Sequence, residues 1–253
     1  NGVLAAQALT SSPRDGYTLM VTDGSMFSIN PWIYKSLGYD PKKDFIPISL
    51  AARAPLYLAV NSKSNLMTMQ DVIREAKANP GKLTYGSSGV GSTHHLSHEA
   101  MNVGLGISMT HVPFKGTGQS VPALVGGQID MLFSALPQIS GFVKGGQLRL
   151  LTNNSPKRSA QEPQVATLAE GLIPHFDFSP KVGFMAATGT PQAVIDRVST
   201  EIIAIAKLPE VQQLLSNVGI EPVGTTPAEY SRIMALEIER FSKAVSAAKI
   251  QPE

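Results

Sequence analysis

The chain has 253 residues, 43% of them hydrophobic and 16% charged, with 22 Gly, 18 Pro and no Cys. That size and balance describe a folded protein with a core of its own, and they exclude a disulfide-stapled miniprotein, thiolate catalysis and thiolate metal sites. A formal charge of +2 gives no excess that would hold a phosphate backbone, so nucleic acid is not an expected partner, and the most apolar stretch, 131–143, is too short and too interrupted to span a membrane.

The chain opens on Asn1 with no basic-then-apolar leader before it, and the expectation is that an upstream piece precedes it. Turn chemistry at Pro13-Arg14-Asp15-Gly16 leads into a strand over 17–22, and 46–51 and 56–60 read as two more, with Pro55 between them. A helix is predicted over 68–79, with Thr68 as N-cap, Asp71 three residues on, and Pro80-Gly81 as the stop. Strand 83–86 runs through a small-residue turn, Ser87 to Thr93, into a helix from His94 to Asn102. The same order recurs where strand 109–112 leads through Lys115-Gly116-Thr117-Gly118 into helix 119–125. Short strands follow at 129–133, 148–152 and 181–187. Helices then open at Thr190-Pro191 and at Pro209, and Thr226 with Glu229 caps a last one to about Ala247. Strands alternating with helices predict an α/β fold with largely parallel sheets, in two lobes at this length.

The turn 86–93 is the most informative local feature, because small residues expose backbone N–H groups at a helix start, which suits an anion. It is neither a phosphate-binding loop with Gly-Lys-Ser/Thr nor a nucleophile elbow, since Val90 stands where the elbow needs Gly. His94 and His98 have the i, i+4 spacing of zinc ligands, and with His111 or a distant carboxylate as third ligand they form the alternative reading of a zinc hydrolase. The order H-E-x-x-H is absent, and no Ser-His-Asp set is readable.

Several motifs then fall in one order: Asp15-Gly-Tyr-Thr-Leu19, Ile29-Asn-Pro31, Ala78-Asn-Pro-Gly-Lys-Leu-Thr-Tyr85, Ser88-Gly89 with Gly91-Ser92, Val112-Pro-Phe-Lys-Gly116, Leu124-Val-Gly-Gly-Gln128 and Glu221-Pro-Val-Gly-Thr-Thr-Pro227. Together they resemble the Bug family, the TctC-like substrate-binding proteins of tripartite tricarboxylate transporters. The resemblance implies a type II periplasmic-binding-protein (Venus flytrap) fold: two α/β lobes joined by crossing strands, lobe I over 1–56 and 177–253 and lobe II over 57–176, with the family's first strand expected upstream of Asn1. It implies a monomeric, periplasmic, non-enzymatic protein without cofactor or metal, whose lobes close on a small organic acid. That acid, a dicarboxylate, acidic amino acid or aromatic acid, is passed to membrane permease subunits or, alternatively, sensed with a kinase. The residues implied for the ligand are Thr22, Asp23, Ser25 and Asn30; Ser87, Ser88, Gly89, Gly91, Ser92 and Thr93; Lys115 and Gly116; Ser134; and Lys181. Asp23, Ser134 and Lys181 depart from the family pattern, and Lys181 is expected to pair with a second carboxylate and Asp23 with an ammonium.

Overall fold

The computed structural model describes residues 2–252, which divide into two compact units, one running to Ala54 and resuming at Pro180, the other Pro55–Ser179. Leu56 belongs to the second unit, where its N–H meets Asn154 Oδ1 at 2.9 Å. So do Asp177 to Ser179, because Asn154 also holds Phe178 through both backbone groups. The lobe boundaries implied by resemblance put these four residues, and Pro55 with them, in the first lobe.

The first unit is built on a four-stranded sheet of β1 (Met20–Thr22), β2 (Phe45–Arg53), β8 (Lys181–Ala187) and β9 (Glu221–Pro222), in the order β1-β8-β2-β9. Helices α1 (Val3–Ser11), α2 (Ser25–Ser28), α3 (Asn30–Ile33), α8 (Gln192–Ile205), α9 (Pro209–Asn217) and α10 (Pro227–Ala247) complete it. Its main core gathers Phe27, Phe45, Leu50, Met185 and Tyr230. Tyr230 packs closely on the sheet at Gly183, where a Cβ would run into its hydroxyl and ring.

The second unit carries a five-stranded sheet, β5-β4-β6-β3-β7, made of β3 (Leu56–Asn61), β4 (Thr84–Ser87), β5 (Thr110–Pro113), β6 (Met131–Ala135) and β7 (Leu148–Asn153). Around it lie α4 (Met69–Ala78), α5 (Thr93–Leu105), α6 (Thr117–Val125), α7 (Leu136–Lys144) and a 3-10 turn at Leu168–Glu170. Tyr57, Ala59, Leu124, Leu132 and Ile139 form a core on one face. No helix among the described residues is long and apolar enough to cross a membrane.

The expectation of largely parallel sheets is corrected. Every pairing in the first unit is antiparallel, as are β3 with β6 and β3 with β7. Among the described residues, parallel pairing between strands is confined to β4 with β5 and β6, and Asn153 of β7 adds one isolated parallel bridge to Thr167. The reason is that β8 enters its sheet between β1 and β2 from far along the chain, with no crossover helix to fix its direction. The strand–helix–strand units around β4 do have such helices, in α5 and α6.

Candidate functional site

Because β4, β5 and β6 are parallel, their C-terminal ends lie on one edge of the second unit, the place where open α/β sheets present loops to ligands. That edge gathers Ser87 to Thr93, Lys115 with Gly116, and Ser134. The first two loops are tied together by Phe114 N–H donating to Ser87 O at 3.1 Å.

The loop between β4 and α5 is shaped by its own side chains. Ser87 Oγ accepts from Gly89 N–H at 3.1 Å and also donates to Gly89 O. Ser92 Oγ donates to the same carbonyl at 2.7 Å and, as N-cap of α5, accepts from His95 N–H. Gly89 and Gly91 take φ values of 126° and 72°, conformations that any side chain would strain. Gly91 N–H turns inward to His95 Nδ1 at 3.1 Å. The N–H groups of Ser88, Val90 and Thr93 have no acceptor among the described residues. The loop therefore holds three unpaired donors at the positive end of a 13-residue helix.

Lys115 is exposed and its N–H is held by Gln119 Oε1, while Gly116, at φ 155°, is the N-cap of α6. Ser134 is buried and donates to Gln138 Oε1 at 3.3 Å.

In the first unit, Thr22, Asp23, Ser25 and Asn30 surround the short turn after β1. Asp23 is exposed, and its Oδ1 accepts from both the N–H and the hydroxyl of Ser25, at 3.1 and 2.7 Å. Thr22 is buried, and its hydroxyl accepts from Gly24 N–H. Asn30 is fully buried and donates to Tyr39 Oη at 3.2 Å. Lys181 departs most from expectation: it is 2% exposed and its ammonium meets Glu237 Oε1 at 3.0 Å within its own unit. The charge assigned to a second ligand carboxylate is thus neutralised by the protein itself.

The zinc alternative loses its geometry. His94 Nδ1 lies 2.8 Å from Ser88 Oγ, and His98 Nδ1 is spent on His94 O at 3.0 Å. Among the described residues no three His, Cys, Asp or Glu side chains converge as metal ligands.

What the sequence reading missed is the support beneath the loop. Tyr85 and His111 are register partners across β4 and β5, so their rings stack at 5.0 Å. His95 lies on His111 at 3.8 Å and 9°, and His98 on Tyr85 at 4.3 Å and 12°. His111 Nε2 reaches Ser87 Oγ at 2.7 Å, and Tyr85 donates to Glu99. Burial lowers all three imidazoles, His95 and His98 to about 3 and His111 to about 4, with like-charge repulsion from His111 adding to the first two. They are therefore neutral near pH 7. The signal was present as the four-residue step from Gly91 to His95, but nothing in the sequence says that α5 turns that face onto β4.

With this geometry in place, comparison with known proteins is consistent along the chain. The family model described as "Tripartite tricarboxylate transporter family receptor" matches residues 1–250. A Cupriavidus necator protein described as the UPF0065 protein in the gbd 5'region is 35% identical over 239 residues, 94% of this chain and 72% of its own length. BugT of Bordetella pertussis is 30% identical over 245 residues, 96% of this chain and 75% of its own. Among solved structures, R. palustris Rpa4515 with adipate is 30% identical with a TM-score of 0.86, covering 100% of this chain and 84% of that one.

Proposed function

The chain belongs to the tripartite tricarboxylate transporter receptor family, and we propose that it is a periplasmic solute-binding protein that captures a small organic carboxylate and delivers it to the permease of such a transporter. The observation that carries this reading is the trio of unpaired N–H groups at Ser88, Val90 and Thr93, set on the start of α5. The adipate in Rpa4515 supports the ligand class, since that protein is 30% identical across this whole chain. The hydroxyls of Ser88 and Thr93 and the Lys115 ammonium stand on the same sheet edge and supplement the backbone donors.

The energetics suffice without an arginine clamp. A micromolar complex needs about −8.2 kcal/mol. Hydrogen bonds to a charged group contribute roughly 1.5–3 kcal/mol each, so three amides and a hydroxyl or two reach it once modest association costs are subtracted. Because the donors are fixed by Ser87, Ser92 and His95 before ligand arrives, little ordering remains to be done on binding. Lys181 is assigned a structural role and Asp23 the role of fixing Ser25, so selectivity between mono- and dicarboxylates is not assigned to them.

Isothermal calorimetry with a panel of C2 to C8 mono- and dicarboxylates tests the reading. The expected result is saturable heat with at least one acid at about micromolar affinity, abolished by Thr93→Asp, which places a like charge on the donor cluster. Silence across the panel, with the protein folded by circular dichroism, overturns it.

A further inference from the structure

The turn between β4 and α5 alternates its amides in a way that chain geometry alone does not impose. Gly89 N–H is consumed by Ser87 Oγ and Gly91 N–H by His95 Nδ1, while the N–H groups of Ser88 and Val90, which alternate with them along the chain, have no acceptor among the described residues. Ser87 is an ordinary local turn residue at the start of the loop it serves. His95 is different: it sits inside a helix, is 4% exposed, and reaches back to a glycine in the left-handed region.

We propose that His95 is a positioning residue for the carboxylate-binding loop: its Nδ1, held as an acceptor, draws the Gly91 amide inward and thereby leaves the Ser88, Val90 and Thr93 amides as the donors offered to ligand. The inference rests on the carboxylate-binding reading above for its consequence, and on geometry alone for its cause. A neutral imidazole accepting at Nδ1 carries its proton on Nε2. Stacking on His111 at 3.8 Å, with His111 itself held by Ser87 Oγ and Tyr85, fixes the plane of the ring, and within that plane only the observed orientation sets Nδ1 rather than a ring C–H against the Gly91 N–H. The imidazole column thus sets the ring plane of His95, and the Gly91 N–H sets its orientation and tautomer. Burial, which keeps His95 uncharged down to about pH 3, holds that acceptor in place wherever the protein is folded.

Three measurements on the full chain test this. First, nitrogen-15 spectra of the wild-type imidazoles are expected to show His95 protonated on Nε2 and bare at Nδ1; a protonated Nδ1 overturns the proposal outright and needs no variant. Second, Asn places an oxygen where Nδ1 stands and Gln a polar group where Nε2 stands. His95→Asn is therefore expected to keep the slow hydrogen exchange of the Gly91 amide, and His95→Gln to lose it by about tenfold, the worth of one buried hydrogen bond. Equal exchange in the wild type and the Gln variant, or equal loss in both variants, overturns it. Third, titration with adipate is expected to move the amide resonances of Ser88, Val90 and Thr93 in the wild type and the Asn variant, with affinity about tenfold weaker in the Gln variant. A wild type that answers neither adipate nor any other acid counts against carboxylate binding, while the Gly91 exchange still decides what His95 does.

Discussion

Lys181 and Glu237 show how a residue's chemistry can be correct and its assignment still change. A lysine that opens a strand expected near the ligand invites an anionic partner, and it has one, but the partner is Glu237 on α10. Both side chains are almost fully buried, at 2% and 5% exposure, with N and O 3.0 Å apart. Removing two such charges from water costs several kcal/mol per ion, which the pair offsets only while both members are present. Burial also drives the Tyr230 hydroxyl's pKa upward, and the Glu237 and Asp23 charges add to this, so that hydroxyl stays protonated at any working pH. Glu237→Leu is expected to destabilise the protein by about 3–5 kcal/mol, since it strands the Lys181 ammonium in the core. The double variant Lys181→Met with Glu237→Leu is expected to recover most of that loss. Urea denaturation of the three proteins measures it, and a double variant as unstable as the single one would show that the pair does more than neutralise itself.

At the level of elements, legibility followed the local signals. The helix starts at Thr68 and Thr226 were readable because a hydroxyl with a carboxylate three residues on makes a capping box, and both boxes are formed, Thr68 with Asp71 and Thr226 with Glu229. Thr226→Ala is expected to cost about 1 kcal/mol, read as a lowered urea midpoint with no change in carboxylate affinity, because α10 belongs to the unit without the loop. Helix α1 went unread because it has no side-chain cap, its N-cap being Gly2 in the left-handed region. Helix α7 was read only as an apolar stretch, since Pro137 and Gly141 interrupt the pattern, although Pro137 sits in the first turn where a missing N–H costs nothing. The loop at 87–93 was legible for a physical reason: small residues before a helix are needed wherever backbone donors must be reached. What holds that loop was not legible, because the stack of Tyr85, His95, His98 and His111 depends on the β4–β5 register and on the facing side of α5. Both are set by packing between elements and by no spacing within one of them.

Over the whole molecule the same stack makes an uneven response to acid. The three depressed imidazoles, His95, His98 and His111, all lie in the second unit, packed with Tyr85, Phe133 and each other, with Glu99 and His94 the neighbouring polar groups. An imidazole whose folded pKa lies below its ordinary 6.5 binds fewer protons when folded than when unfolded. Its contribution to stability is complete above about 6.5 and is lost as pH falls toward about 4 for His111 and about 3 for the other two. From pH 7 to pH 5 this costs on the order of 1–2 kcal/mol for each fully buried ring. The carboxylates held low by hydrogen bonds and ion pairs, such as Asp71 by Thr68 and Glu170 by Arg158, are spread over the surface and act only as pH falls through and below the ordinary carboxylate range. The window from 7 to 5 therefore isolates the histidines. Hydrogen exchange at the two pH values, corrected for intrinsic rates, is expected to show β4 and α5 losing protection while β2 and β8 of the first unit lose less. The one tryptophan, Trp32, stands in α3 of the first unit, so its fluorescence in urea reports that unit separately. His98→Phe, which keeps a ring between Tyr85 and Phe133 but cannot take a proton, is expected to flatten the pH dependence by about a third, its share of three similar groups. An unchanged pH slope in that variant would remove His98 as a contributor to the acid response.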